Sequence, residues 1–92
     1  MNFSDALEAL KKGNKLYRKS WHIFASFIYL VNGSEFEVNR EPLNKILSPG
    51  TKVKYHPHID IHFPDGSCGV FVPTTADILA DDWDISPWKG KK

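Results

Sequence analysis

The stretch that most constrains what this chain can fold into is Tyr55-His56-Pro57-His58-Ile59-Asp60-Ile61-His62-Phe63, followed by Pro64-Asp65-Gly66-Ser67. Successive side chains of a strand point to opposite faces. Tyr55, Pro57, Ile59, Ile61 and Phe63 therefore share an apolar or aromatic face, and His56, His58, Asp60 and His62 share the other. Asp65-Gly66 offers a residue tolerant of positive φ where the chain reverses, so Cys68-Gly69-Val70-Phe71-Val72 returns as an antiparallel partner until Pro73 ends it. One face is suited to a core and the opposite face to polar chemistry.

The neighbouring segments read as the cover for that apolar face. Residues 4–13 predict a short helix: Ser4 caps its free N–H groups, Asp5 and Glu8 suit its positive end, Lys11 and Lys12 suit its negative end, and Gly13 stops it. Phe3, Ala6, Leu7 and Leu10 share one face at 3–4 spacing. Residues 15–19 predict a strand leading to Ser20-Trp21. Residues 27–31, Asn32-Gly33 and residues 34–38 predict a hairpin, because Asn-Gly is the preferred type I′ turn pair. Its first arm is apolar on both faces, as in a central or interface strand, and its second arm turns Phe36 and Val38 inward.

Pro42 begins a helical turn through Leu47, Ser48-Pro49-Gly50-Thr51 is a turn, and Lys52-Val53-Lys54 starts the long strand that runs on to Phe63. Thr74 caps a second helix over residues 75–81 with Asp77 at the capping-box position, and Asp82-Trp83-Asp84-Ile85 is the last strand. These elements predict one α+β domain over residues 1–86, a small antiparallel sheet covered by short helices, with a basic tail at 87–92.

At 92 residues such a domain buries roughly 60–65% of its unfolded surface, so its core is thin. Three Trp, three Tyr and six Phe are more aromatics than that core hides, which points to a pocket or a subunit interface and makes a homo-oligomer the expectation. The net charge of +1 lacks the basic stripe of a nucleic-acid polymer binder. Lys11, Lys12 and Lys15, and the tail lysines Lys89, Lys91 and Lys92, read as solvated surface. Cys68, the single cysteine, permits no internal disulfide and fits a reducing compartment. No signal segment and no apolar run of about 20 residues is present, so the expectation is a soluble protein, with no membrane partner, retained in the cell that makes it.

Three chemistries compete for the polar residues. Neighbouring side chains among His56, His58, Asp60 and His62 are close enough in pairs to share an ion, yet no HExxH or paired CxxC spacing supports a metal. A His58–Asp60 pair could serve hydrolysis, but there is no nucleophile elbow, Cys-His signature or glycine-rich phosphate loop. Binding without chemistry accounts for more residues. Trp21, Phe71 and Trp83 offer stacking plates; Arg18, Arg40 and His58 offer cations; Asn39, Asp60 and Asp82 offer amide and carboxylate groups for ribose hydroxyls. Thr74 and Thr75, at a helix N-terminus, add an anion or hydroxyl contact. Together these suit a nucleotide. For Arg40 the alternative is an ion pair with Glu41 or another surface acid.

Six blocks carry a family resemblance: Phe3-Ser4-Asp5-Ala6-Leu7, Arg18-Lys19-Ser20-Trp21, Tyr29-Leu30-Val31, Val38-Asn39-Arg40-Glu41-Pro42-Leu43, Tyr55-His56-Pro57-His58-Ile59-Asp60 and Asp77-Ile78-Leu79-Ala80-Asp81-Asp82-Trp83. In order and spacing they resemble a small phage and prophage family that includes the second type of Thoeris anti-defence protein. The resemblance implies a sponge. Thoeris immunity turns NAD into a cyclic ADP-ribose signal, and family members bind that signal without degrading it. Members are homotetramers with pockets at subunit interfaces, and some also hold cyclic di- or oligonucleotides. The resemblance thus implies a glycocyclic ADP-ribose or related cyclic nucleotide as partner, no cofactor, and action in the cytoplasm of the infected bacterial host.

Trp21, Asn39, Arg40, His58, Asp60, Asp82 and Trp83 are the positions that match the family's motifs. The chain departs from the pattern at His22-Ile23-Phe24-Ala25-Ser26, where the family has a polar Asn-Gly-rich loop. It departs again at Phe71 and Thr74-Thr75-Ala76-Asp77, where Trp and a Ser-Gln-Thr-Asp run are usual. Two other readings stand beside the sponge: a nucleotide-processing hydrolase using His58 and Asp60, and a structural phage protein whose aromatics are all interface core.

Overall fold

The computed structural model describes residues 1–21 and 26–89; all of the departing loop at 22–26 but Ser26, and the tail lysines Lys91 and Lys92, lie outside them. Helix α1 (Phe3–Lys11) begins two residues earlier than its sequence suggests. Asn2, not Ser4, is the cap, its side chain accepting the Asp5 N–H at 2.9 Å. Starting there lets Phe3 enter the helix and pack against Trp83, with ring centroids 5.7 Å apart. Ala6 and Leu10 are wholly buried, and Phe3, Leu7 and Ala9 pack around them. Gly13 leaves the helix at φ +92°, as its missing Cβ allows.

Strands β1 (Leu16–Arg18), β2 (Phe27–Val31), β5 (His58–His62), β6 (Cys68–Val70) and β7 (Trp83–Ile85) form an antiparallel sheet in the order β6-β5-β2-β1-β7. Strands β3 (Ser34–Glu37) and β4 (Lys52–Tyr55) form a separate antiparallel pair. Leu16, Ile28 and Trp83 join the two helix residues in the buried cluster, with Ile59, Ile61, Phe71 and Trp21 packed against it. Helix α2 (Thr75–Leu79) carries the expected capping box. It stops at Leu79 rather than Asp81, because Ala80 turns extended to deliver the chain to β7. The domain is α+β, as its sequence implies.

Two expectations are corrected. Asn32-Gly33 does not close a hairpin: β2 and β3 lie in different sheets, and Gly33 is not among the glycines with positive φ. Nor is the segment 52–63 one strand; it breaks at His56-Pro57 into β4 and β5. Both corrections have one cause. Val31 pairs with His58, and Ser34, three residues on, pairs with Tyr55, three residues back, so one antiparallel register runs through both ladders. In that register Asn32-Gly33 sits opposite His56-Pro57. Pro57 has no N–H to give to the ladder, and it turns the residue before it away from regular pairing. A Cβ on Gly33 would lie 2.5 Å from the Tyr55 carbonyl oxygen and 3.2 Å from Pro57 Cδ. The glycine is there for close approach of two strands, not for a turn.

The result is a long, interrupted ribbon whose far half leaves the sheet. Glu35 and Glu37 face Lys54 and Lys52 across it. Val38, inward as expected, is buried and closes the tip by exchanging hydrogen bonds with Thr51 and Gly50, whereas Phe36 stays partly exposed. The ribbon makes the molecule long, 46 × 31 × 22 Å with a radius of gyration of 16.0 Å, against about 12 Å for a compact chain of this length.

Candidate functional site

The residues singled out by sequence fall in three places. Arg18, Trp21, Thr75, Asp82 and Trp83 gather where β1 and β7 meet α2. Arg18 donates from Nε to Asp82 Oδ1 at 2.9 Å and from Nη1 to Asp77 Oδ1 at 3.0 Å. The second oxygen of Asp82 accepts the Ser20 N–H at 3.1 Å, and the second oxygen of Asp77 accepts from the N–H and hydroxyl of Thr74 at 2.9 and 3.0 Å. The Trp83 indole N–H donates to the Asp77 carbonyl at 2.9 Å. Every strong polar group here is matched.

The charges behave accordingly. The hydrogen bond from Arg18, against the effect of burial and helped by Ser20, holds the Asp82 carboxyl below the usual carboxylate range. Burial by itself would raise Asp77, but Thr74 and Arg18 together outweigh it and lower it. Trp83 is fully enclosed, so no ligand ring reaches it without unpacking the core. Trp21 meets Trp83 edge-on at 5.5 Å and Phe71 at 6.3 Å, half-buried at the margin. Thr75 is exposed on the first turn of α2.

His58 and Asp60 lie on β5, on the sheet face away from the core. His58 Nδ1 is 3.2 Å from the His56 carbonyl, which can only accept, so that nitrogen carries the proton. His58 Nε2 faces Asp60 Oδ1 at 3.4 Å, an ion pair when the ring is protonated. Tyr29, opposite Asp60 in the register, donates its hydroxyl to Cys68 Sγ at 3.3 Å. That bond, with burial and the negative charge of Cys68 and Asp60, pushes the Tyr29 hydroxyl up to about 12. Among the described residues no three His, Cys, Asp or Glu side chains gather closely enough to hold a metal ion.

Asn39 and Arg40 line a groove of about 660 Å³ at the far end of the ribbon, with Phe36, Glu37, Glu41, Pro42, Leu43 and Tyr55. β3 and β4 supply one wall, and the segment leading into the 3-10 turn (Leu43–Lys45) supplies the other. Phe36 and Tyr55, on paired strands, hold their rings 5.4 Å apart and remain partly exposed. Glu41, the acid next to Arg40, is paired instead with Lys45 at 3.1 Å. Among the described residues no carboxylate lies within ion-pair distance of the Arg40 guanidinium. The groove therefore combines two accessible rings, an uncommitted cation, an amide and two carboxylates. Strand alternation alone does not bring Phe36 and Tyr55 together; the pairing of β3 with β4, which only the tertiary structure supplies, places them on one face of the ribbon.

Among the described residues no hydrogen bond, ion pair or ring contact joins these three clusters, and no helix is long and apolar enough to cross a membrane. Two comparisons bear on function. A family model described as the Thoeris anti-defense 2-like domain matches residues 1–86. The curated protein Thoeris anti-defense 2 of Bacillus phage SP01 is 32% identical over 94 residues, spanning 92% of this chain and 93% of that protein.

Proposed function

Since the chain belongs to the Thoeris anti-defense 2-like family and its function is phage anti-defence, we propose that it acts by sequestering a cyclic nucleotide immune signal in the ribbon groove, without degrading it. The ligand class is a glycocyclic ADP-ribose or a cyclic di- or oligonucleotide, met in the cytoplasm of the infected host cell. The observation that carries this reading is Arg40. It is a cation on the wall of a groove, without a carboxylate partner among the described residues while its neighbouring acid pairs with Lys45. A phosphate would take the guanidinium as a charge-assisted partner. A base would lie against Phe36 or Tyr55, and Asn39, Glu37 and Glu41 offer partners for hydroxyl and exocyclic amine groups. The volume is in the range of small-molecule sites, about 300–1,000 Å³.

Assembly belongs to the same proposal. Val72, Leu79, Ile46 and Val70 are each more than two-thirds exposed, which supports a homo-oligomer, a tetramer by analogy with the family, in which these surfaces are covered. Native mass spectrometry with a panel of cyclic ADP-ribose isomers and cyclic dinucleotides tests ligand and stoichiometry together. Ligand recovered intact after heat release supports sequestration. A cleaved product would instead favour the hydrolase reading, for which the His58–Asp60 contact is the supporting observation.

A further inference from the structure

The sheet face turned away from the helices carries a feature that the groove reading does not use. Phe27 on β2 and His62 on β5 are direct cross-strand partners, and their rings stack nearly parallel, 4.7 Å apart at 9°. The chain beyond β7 comes back over this plate. The Ser86 N–H donates to the Lys15 carbonyl at 2.8 Å, and the Trp88 N–H donates to Ser86 Oγ at 3.2 Å. The Trp88 indole then rests against Phe27 at 5.2 Å and His62 at 4.8 Å. Lys15 donates its ammonium to the Trp88 carbonyl oxygen and lies 5.4 Å from the Phe27 ring. Phe27 is only 5% exposed beneath this cover.

We propose that Lys15, Phe27 and His62 form a second ligand seat, for a planar heteroaromatic ring that carries an anionic oxygen, and that Trp88 is a plug occupying it in cis. The plug presents a flat bicyclic ring to the stacked plate and an acceptor oxygen to the ammonium. A ligand of the stated class offers the same two features, with a charged acceptor in place of a neutral one, which makes the stronger bond to Lys15. The family match ends at Ser86. The three seat residues lie inside it and Trp88 lies outside, so the plug is an addition to the matched domain rather than part of its core. The seat is about 30 Å along the ribbon from the groove, from the rise of some ten strand residues, and does not depend on the groove reading. An intramolecular competitor lowers apparent affinity by the fraction of time it leaves the seat open.

The test uses AMP as probe and the full chain carrying Arg40→Ala, so that the groove does not confuse the result. In that background AMP is expected to bind weakly, and the Trp88 indole N–H resonance, assigned by its loss in Trp88→Phe, to move toward its free-chain position as AMP is added. Adding Trp88→Ala should tighten AMP binding at least tenfold, and adding Lys15→Gln to that variant should abolish the gain. Equal affinity with and without Trp88, or AMP binding that leaves the Trp88 resonance in place, would overturn the proposal. The resonance measurement keeps Trp88, so it decides the matter even where Trp88→Ala fails to fold.

Discussion

At the scale of single residues, two arginines of similar sequence character have different fates. Arg18, partly buried, is fixed between Asp77 and Asp82 and joins α2 to the start of β7. Arg40 has no such partner among the described residues. Arg40→Ala is expected to leave the fold intact and to weaken ligand binding by about ten- to a hundredfold, the value of one charge-assisted contact. Calorimetry on the folded, assembled variant checks it, and unchanged affinity would return Arg40 to the surface.

Arg18→Met keeps the aliphatic stem but strands two carboxylates of which Asp77 is the more enclosed. A loss of about 2–3 kcal/mol of stability is expected, read as a lower urea midpoint. The same pair sets an acid limit. Asp77 and Asp82 are both lowered in the folded state, so near pH 4 the unfolded chain binds more protons and stability rises with pH. Their contribution is complete above the ordinary Asp value of about 3.9 and is lost as pH falls through the lowered values. Urea midpoints measured from pH 2 to 7 should show this slope in the native protein and a shallower one in Asp77→Asn; identical slopes would show that Asp77 is not a source of it.

At the scale of elements, the ribbon is the unit that joins fold to site. Its interruption lets β2 and β5 stay in the sheet while β3 and β4 project and build the groove. Gly33 is the point of closest approach, and Gly33→Ala would force its new Cβ against backbone, not against a yielding side chain. A destabilisation of about 1–3 kcal/mol is expected, or a Tm lower by roughly 5–15 °C in a domain this small. Gly66→Ala serves as the comparison. It meets open space and bears only the strain of φ +90°, so it should cost less, about 1 kcal/mol. If thermal unfolding ranks the two the other way, the two strands do not cross as closely as described. Because Tyr55 is the residue Gly33 touches, Gly33→Ala should also weaken ligand binding.

At the scale of the whole molecule, an elongated chain with a small enclosed cluster leaves much apolar surface in water. Leu79 is 74% and Val72 77% exposed, and α2 itself is only five residues long. Light scattering at micromolar concentration should give about four times the 10.5 kDa of one chain, and Leu79→Glu should reduce that mass while leaving the far-ultraviolet circular dichroism unchanged. A native protein that scatters as a monomer would sink the assembly proposal.

Near-neighbour chemistry was determined by the sequence itself. The Thr74–Asp77 capping box, the Asp65-Gly66 reversal, the amphipathic face of α1 and the turning of Ile59 and Ile61 toward the core each depend on residues at most a few positions apart, and all are present in the fold. The six family blocks were legible for the same reason, since order and spacing are properties of the chain alone. Partner choice was decided by tertiary structure. Arg18 is committed by acids 59 and 64 residues away, whereas Lys45 captures Glu41 and no described carboxylate pairs with Arg40. Asn32-Gly33 carries an ideal turn pair, yet the apolar strand before it is better satisfied between β1 and β5, where Phe27 and Ile28 are buried and Tyr29, Leu30 and Val31 partly so. A local signal worth about a kilocalorie yields to the burial of several large side chains, each worth about 1.5–3 kcal/mol.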